Sequence, residues 1–352
     1  MARKRVIYQS EALFVAPSGN SSPTQLSRVQ SANYSFDITR QDVNQYGQLA
    51  LIDRIILEQP TVSLDFTYYA GTGRNETDLG FSLNGNSALA SIMSGTSDVK
   101  NYYILVSPEG TDANIDTGTA ISQGKVIGIG NGYLTSYSVE ASVGNIPTVT
   151  VNAEALNMKF YDKTTGFCPD INPENGVANT TDAFTIPTPV TGAGITALRP
   201  GDVVFGVSGL GVNASDLKIQ SFTIATDIGR ENVQKLGSRF AFAKFITFPI
   251  TVTATVEALV GDMAGTDNIG NALSDLVCSD LTTYDLTLGF NNPPATCGGA
   301  TTKAIQYQLK GAKLDSQEFS SAIGDNKSVT LTFSTQIGGP NDTTKGLFIT
   351  NS

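Results

Sequence analysis

From Thr61 to Tyr69 the chain alternates without a break. Val62, Leu64, Phe66 and Tyr68 fall on one face, and Thr61, Ser63, Asp65 and Thr67 fall on the other. The pattern returns further on, where Ile250, Val252, Ala254 and Val256 oppose Thr251, Thr253, Thr255 and Glu257. Two more segments follow it: Val149, Val151 and Ala153 oppose Thr150, Asn152 and Glu154, and Val329, Leu331 and Phe333 oppose Thr330, Thr332 and Ser334. Period two with β-branched residues predicts half-buried antiparallel strands. The polar face is rich in threonine and carries acid but no basic residue.

These strands belong to a repeat. Ser31–Tyr69 and Ser221–Leu259 match at an offset of 190 residues, with Asp37 on Asp227, Ile38 on Ile228, Arg40 on Arg230, Val43 on Val233, Gly47 on Gly237 and Arg54 on Lys244. LFVAPSG at Leu13–Gly19 falls on VVFGVSG at Val203–Gly209 by the same offset. Towards the end of each half the offset becomes 180, with Leu134 on Leu314, Ser136 on Ser316, Gly144 on Gly324 and Val149 on Val329. A repeat of this length says more about architecture than any single motif.

Within each half, a strand ends at Asp37 or Asp227. Thr39 or Gly229 is then in place to cap a short polar helix, which Gly47 or Gly237 would end in a left-handed conformation. Apolar runs follow at Leu49–Leu57 and Phe240–Phe248, closing near Pro60 and Pro249. Gly71–Gly85 reads as a loop, Ser87–Met93 and Asn271–Val277 as short helices, and Tyr102–Val106, Tyr284–Phe290, Lys125–Ile129 and Lys303–Leu309 as strands. The expected fold is mainly β: two tandem, homologous β-barrel or sandwich domains, each of roughly six or seven strands with a short flanking helix. The first covers residues 1–160 with an N-terminal arm and the second residues 200–352. Residues 161–199, rich in Pro, Thr and Asn, form an extended linker or outer loop between them.

The chain has 352 residues, enough for two domains of roughly 150 each. Its net charge is −10 and it contains no histidine, which removes the commonest general base and transition-metal ligand. The acidic balance argues against tight binding of nucleic-acid phosphates. Cys168, Cys278 and Cys297 make an odd number without CxxC spacing and read as free structural thiols. No apolar run reaches membrane-spanning length, and the apolar patch at Leu13–Ala16 is too short for a signal peptide, so the chain is expected to be made in the cytoplasm. Asp170, Asn172 and Glu174 only loosely follow a calcium loop, because Pro173 interrupts it and the glycine comes one position late. GIGNG at Gly128–Gly132 leads into a strand rather than a helix and is not a phosphate loop. Arg40 and Arg230 each lie near an acid, Asp42 and Glu231, and these residues read as an inter-domain or subunit contact. No catalytic, cofactor or metal residue is assigned, and no enzyme is expected. The polar strand faces are either the solvent side of a sheet or the lining of something, and periodicity does not choose between these.

The repeated block, DITRQDVNQYG and DIGRENVQKLG, each followed by an apolar run and an alternating Thr-rich strand, resembles the tail tube (major tail) proteins of long-tailed bacteriophages. The likeness is to the tandem-duplicated kind. It implies a structural virion protein whose subunits form rings, with strands joining between subunits into a closed inner β-barrel. Rings stack through loops and arms into a tube that conducts DNA during ejection. A two-domain chain implies a trimeric ring with pseudo-sixfold symmetry. Tape measure and tail-end proteins would be its partners, along with passing DNA that is not specifically bound; no membrane and no cofactor are implied. On this reading Ser63, Asp65, Thr67, Thr150, Asn152, Glu154, Thr253, Thr255, Glu257, Thr330 and Thr332 face the lumen. The linker of about 40 residues is longer than a tandem join needs. A second reading is a two-domain β-sandwich virion protein that binds a ligand or receptor, such as an adhesin or decoration protein. It would need clustered exposed aromatics, and the chain has no tryptophan.

Overall fold

A computed structural model describes residues 7, 11–57, 59–107, 113, 125–162, 166–187, 198–208, 218–238, 240–259, 283–293, 301–321 and 326–352. The protein is mainly β, and the described residues form one large antiparallel sheet and two short hairpins. In chain order the first half gives β1 (Glu11–Pro17), β2 (Thr24–Gln25), β3 (Val29–Asp37), β4 (Arg40–Val43), β5 (Asp53–Ile56), β6 (Thr61–Tyr69), α1 (Arg74–Leu79), α2 (Ala90–Met93), β7 (Lys100–Val106), β8 (Lys125–Ser142), β9 (Thr148–Ala155) and β10 (Asn157–Asp162). The second half opens with a 3-10 turn at Pro200–Asp202. It continues with β11 (Val203–Ser208), β12 (Lys218–Asp227), β13 (Arg230–Val233), β14 (Ala243–Ile246), β15 (Thr251–Leu259), β16 (Tyr284–Asn292), β17 (Thr302–Ser320), β18 (Ser328–Gln336) and β19 (Gly346–Asn351).

The pairings of the first half recur in the second. β3, β6, β9 and β8 lie side by side in that order, as do β12, β15, β18 and β17. The registers agree residue for residue: Ser31 faces Thr67 as Ser221 faces Glu257, and Ser136 faces Asn152 as Ser316 faces Thr332. Even the irregularities coincide, between Val29 and Ser31 or Ile219 and Ser221, and between Leu134 and Ser136 or Leu314 and Ser316. β8 and β17 are long enough to serve two neighbourhoods. Their first parts pair with β7 and β10, or with β16 and β19, and their last parts with β9 or β18. The halves join where β12 pairs with the end of β8, from Ser221 opposite Ser142 to Asp227 opposite Ser136. This makes one run, β3-β6-β9-β8-β12-β15-β18-β17. The run is open, and no closed barrel is formed among the described residues.

The alternation read from the sequence holds in space. Val62, Leu64, Phe66 and Tyr68 share one buried cluster with Val149, Val151, Val252, Ala254, Val256, Val329, Leu331 and Phe333. A smaller cluster on the other side of β1 and β7 joins Phe14, Tyr103 and Val126 to Cys168, Phe184 and Ile186. The segment 166–187 is therefore packed onto the sheet and is not a free linker. Isolated bridges, Phe167 to Ala183 and Ile171 to Ala178, fold it back on itself. GIGNG lies inside β8, where a Cβ at Gly130 would sit 2.3 Å from the Pro169 carbonyl, so glycine lets this segment lie against the strand.

Two expectations are corrected. No helix follows Thr39 or Gly229. Arg40–Val43 pairs with Asp53–Ile56, and Arg230–Val233 with Ala243–Ile246, as β-hairpins. A helix of so few residues with no apolar stripe has little to bury and is costly to nucleate. The isoleucines at 55 and 56 offer a strand partner instead, and Gly47 and Gly237, both with positive φ, serve the hairpin turns. The stretch Gly71–Gly85 is not all loop, since α1 lies within it between Gly73 and Gly80, both left-handed. The helix expected at Asn271–Val277 and most of IPTPVTGAG at Ile186–Gly194 lie outside the described residues, as do Cys278 and Cys297.

Candidate functional site: a polar sheet face and an internal seam

Side chains that leave the core of the eight-strand run form a continuous polar face. Ser63 is flanked by Ser35 and Glu154, Asp65 by Asn33 and Asn152, and Thr67 by Ser31 and Thr150. On the other side of the seam Thr253 lies between Ala225 and Ser334, Thr255 between Thr223 and Thr332, and Glu257 between Ser221 and Thr330. All the residues expected from sequence to face a lumen lie on this one face. Hydroxyls, amides and acids bind each other across strands: Asn33 Nδ2 donates to Asp65 at 2.7 Å, Asn152 Nδ2 to Ser136 Oγ at 2.7 Å, Ser31 and Thr67 hydroxyls meet at 2.7 Å, and Ser221 Oγ donates to Glu257 at 3.2 Å. Sequence reading missed Ser31, Asn33, Ser35, Ser136, Ser138, Glu140, Thr223 and Glu318, which share the face. Their signal was present, because Ser31-Ala32-Asn33-Tyr34-Ser35-Phe36 also alternates.

The seam is reinforced from the second half's hairpin. Arg230, almost fully buried, donates through Nη1 and Nη2 to the two oxygens of Asp98 at 2.8 and 2.6 Å, and through Nε to the Leu134 carbonyl at 3.2 Å. Its guanidinium lies 5.3 Å from the Tyr133 ring centre. Lys244 Nζ reaches Glu154 at 3.0 Å and lies 5.6 Å from the same ring. Ile228 N–H donates to the Thr135 carbonyl at 2.7 Å, and Ala241 N–H to Gln59 Oε1 at 2.6 Å. The acid beside each arginine in sequence is not its partner. Arg230 pairs with Asp98 and leaves Glu231 exposed, while Asp42 pairs with Arg54 at 2.6 Å and Arg40 is exposed without an ion pair among the described residues. In a strand, adjacent residues point to opposite faces, so Arg230 and Glu231 point apart.

Positions matched by the repeat differ sharply in burial. Ile228, Ala241 and Lys244 are buried at the seam, whereas Ile38 is only half-buried and Leu51 and Arg54 are exposed. Val139 is 0% exposed and its counterpart Phe319 42%; Thr226 is 2% exposed and its counterpart Phe36 58%. The outer edge of β3 and the outer edge of Asp315–Ser320 in β17 have no strand partner among the described residues.

Elsewhere, Glu76 of α1 is fully buried beneath the core, where its Oε1 accepts from the hydroxyls of Tyr68 at 2.9 Å, Tyr307 at 3.1 Å and Tyr137 at 3.2 Å. Desolvation raises its carboxyl above the ordinary range, while the tyrosine hydroxyls pull it partly back. Asp170, Asn172 and Glu174 do not converge: Asp170 accepts from Asn101 and Asn179, Asn172 caps its own turn, and Glu174 points towards Lys235. Among the described residues no cluster of potential metal ligands is found, and no helix is long and apolar enough to cross a membrane. No family model matches the chain, and no curated protein matches it.

Proposed function

We propose that this chain is the subunit of a phage tail tube, a structural virion protein that assembles into stacked rings and forms a conduit for DNA. The observation that carries this reading is an open eight-strand run with one apolar face, one acidic and hydroxyl-bearing face, and, among the described residues, an outer edge at each end that no further strand covers. Exposed, hydrophobic strand edges are a template for pairing, and closure into a ring removes them. The recurrence of the β3-β6-β9-β8 order and registers as β12-β15-β18-β17 supports two tandem homologous domains, and hence a ring of three chains with pseudo-sixfold symmetry. The polar face then lines the lumen. Acids on it repel phosphates, and hydroxyls offer DNA no counter-charge, so DNA passes without being held.

The two hairpins project exposed apolar residues, among them Tyr46, Leu49 and Leu236, and these suit contacts between stacked rings. Tape measure and tail-end proteins would meet the tube at its ends. No chemistry is assigned to the chain.

Negative-stain electron microscopy of the purified protein, with mass measurement of any ring, tests the proposal. Rings or tubes with three chains per ring are expected. A monomer that persists across concentration and salt would overturn the reading in favour of a ligand-binding β-sandwich protein.

A further inference from the structure

The seam inside the chain is a template for the seam between chains. We infer that β3 of one copy pairs antiparallel with the last part of β17 of the next copy, in one fixed register: Asn33 opposite Ser320, Tyr34 opposite Phe319, Ser35 opposite Glu318, Phe36 opposite Gln317 and Asp37 opposite Ser316. The inference rests on the proposed ring and assigns the residues that close it.

The register comes from the internal seam. There Thr223 faces Glu140, Ile224 faces Val139, Ala225 faces Ser138, Thr226 faces Tyr137 and Asp227 faces Ser136. β12 corresponds to β3 at an offset of 190, because both pair with matched residues of β15 and β6 around the same irregularity. The end of β17 corresponds to the end of β8 at an offset of 180, since Ser316 faces Thr332 as Ser136 faces Asn152. Moving both offsets onto the internal seam gives the register stated.

Three features of the two edges fit it. The faces agree: Asn33, Ser35, Glu318 and Ser320 are exposed on the polar side, and Tyr34 and Phe319 fall together on the core side. A slip of one residue would put those aromatics into the polar face, which is why register is strongly specified. The exposed rings of Phe36 and Phe319 become covered, as their counterparts Thr226 and Val139 already are. Asp37 and Glu318 each meet a serine, so no acid faces an acid. The hairpin follows: Ile38 N–H is placed to donate to the Asp315 carbonyl, as Ile228 does to Thr135, and Arg40 is brought to the Leu314 carbonyl, as Arg230 is to Leu134.

The two kinds of seam are not equal. Where the internal seam has Tyr133 and Glu154 under Arg230 and Lys244, the matched positions under Arg40 and Arg54 are Lys313 and Ser334. The seam between copies therefore lacks the aromatic platform and the acid, and it is the weaker of the two.

Two single variants, Ser35→Cys and Glu318→Cys, are mixed and oxidised mildly, with the unsubstituted protein and each variant alone as controls for the native cysteines. Both sites are exposed, so folding is expected to survive, and microscopy of each variant checks that rings still form. A covalent pair of chains is expected from the mixture only. It should form at least tenfold faster than with Ser316→Cys or Ser320→Cys in place of Glu318→Cys, since directly opposed residues are closer than diagonal ones. Rings that form without this cross-link, or with a preference for position 316 or 320, overturn the register and leave the ring standing. Absence of both rings and cross-link overturns the ring as well.

Discussion

Glu76 shows how much a single side chain can hold here. Its carboxyl lies where α1 meets strands of both halves, and it is the common acceptor for Tyr68, Tyr137 and Tyr307, with the Tyr137 and Tyr307 hydroxyls 3.0 Å apart. Truncation by Glu76→Ala would leave buried hydroxyls unpaired and open a cavity, for a loss of roughly 3–5 kcal/mol in denaturant unfolding. The isosteric Glu76→Gln keeps an acceptor but no proton to exchange. Because burial raises this carboxyl, the folded chain holds its proton to higher pH than the unfolded chain does. The group's contribution is thus fully present below the ordinary glutamate value of 4.5 and falls as pH rises through the folded value. Stability of the native protein relative to Glu76→Gln is expected to decline across that range, and urea titrations at a series of pH values would show it. A flat difference would mean that Glu76 titrates normally. None of this was legible in sequence. Arg74–Leu79 has one apolar residue between two glycines and reads as loop, and the three tyrosines come from three distant strands.

At the scale of elements, strands were legible wherever one face is buried and the other wet, as in β6, β9, β15 and β18. The hairpins were not, because the polar residues of β4 and β13 carry no alternation and their pairing depends on an apolar run ten residues away. The packing of segment 166–187 was not legible for a related reason: it is mostly polar, and the apolar side chains that join the sheet's smaller cluster, Cys168, Phe184 and Ile186, are widely spaced. The hairpins also supply a matched comparison. Arg230 and Arg40 occupy the same place in the repeat, one paired with Asp98 and almost fully buried, the other exposed. Arg230→Ala would leave Asp98 without its partner and is expected to cost roughly 3–5 kcal/mol. It should also reduce hydrogen-exchange protection across β13 and β14. In unassembled chains Arg40→Ala should leave stability unchanged, and it should show its effect only by raising the concentration at which rings form. Equal destabilisation of the monomer by both would contradict the difference between the two sites.

At the scale of the whole molecule, the repeat and its two offsets were legible. The seam was not. Pairing of Ser136–Ser142 with Ser221–Asp227 joins segments that share no local signature, so nothing in the sequence showed that one sheet and one core run through both halves. The polar face allows a test of the lumen. Asp65 and Glu257 lie on it, clear of the core, so Asp65→Lys with Glu257→Lys should preserve assembly while replacing acid with base. Assembled tubes of the double variant are expected to retain DNA at low salt and release it as salt rises, as phosphate contacts do. Tubes of the native protein should not retain it. DNA association that is unchanged by the double substitution would place this face on the outside.

The internal seam has one further consequence, which concerns dilution. Joining two halves by a peptide segment fixes their effective concentration, whatever the amount of protein in solution. Of the contacts around a proposed ring, every second one is therefore permanent, and only the others must overcome the loss of free motion that association entails. A ring taken below its assembly threshold would part only where β3 of one copy meets β17 of the next. It would release whole chains with β8 and β12 still joined, so disassembly is an unlatching of a few like edges and leaves nothing to refold.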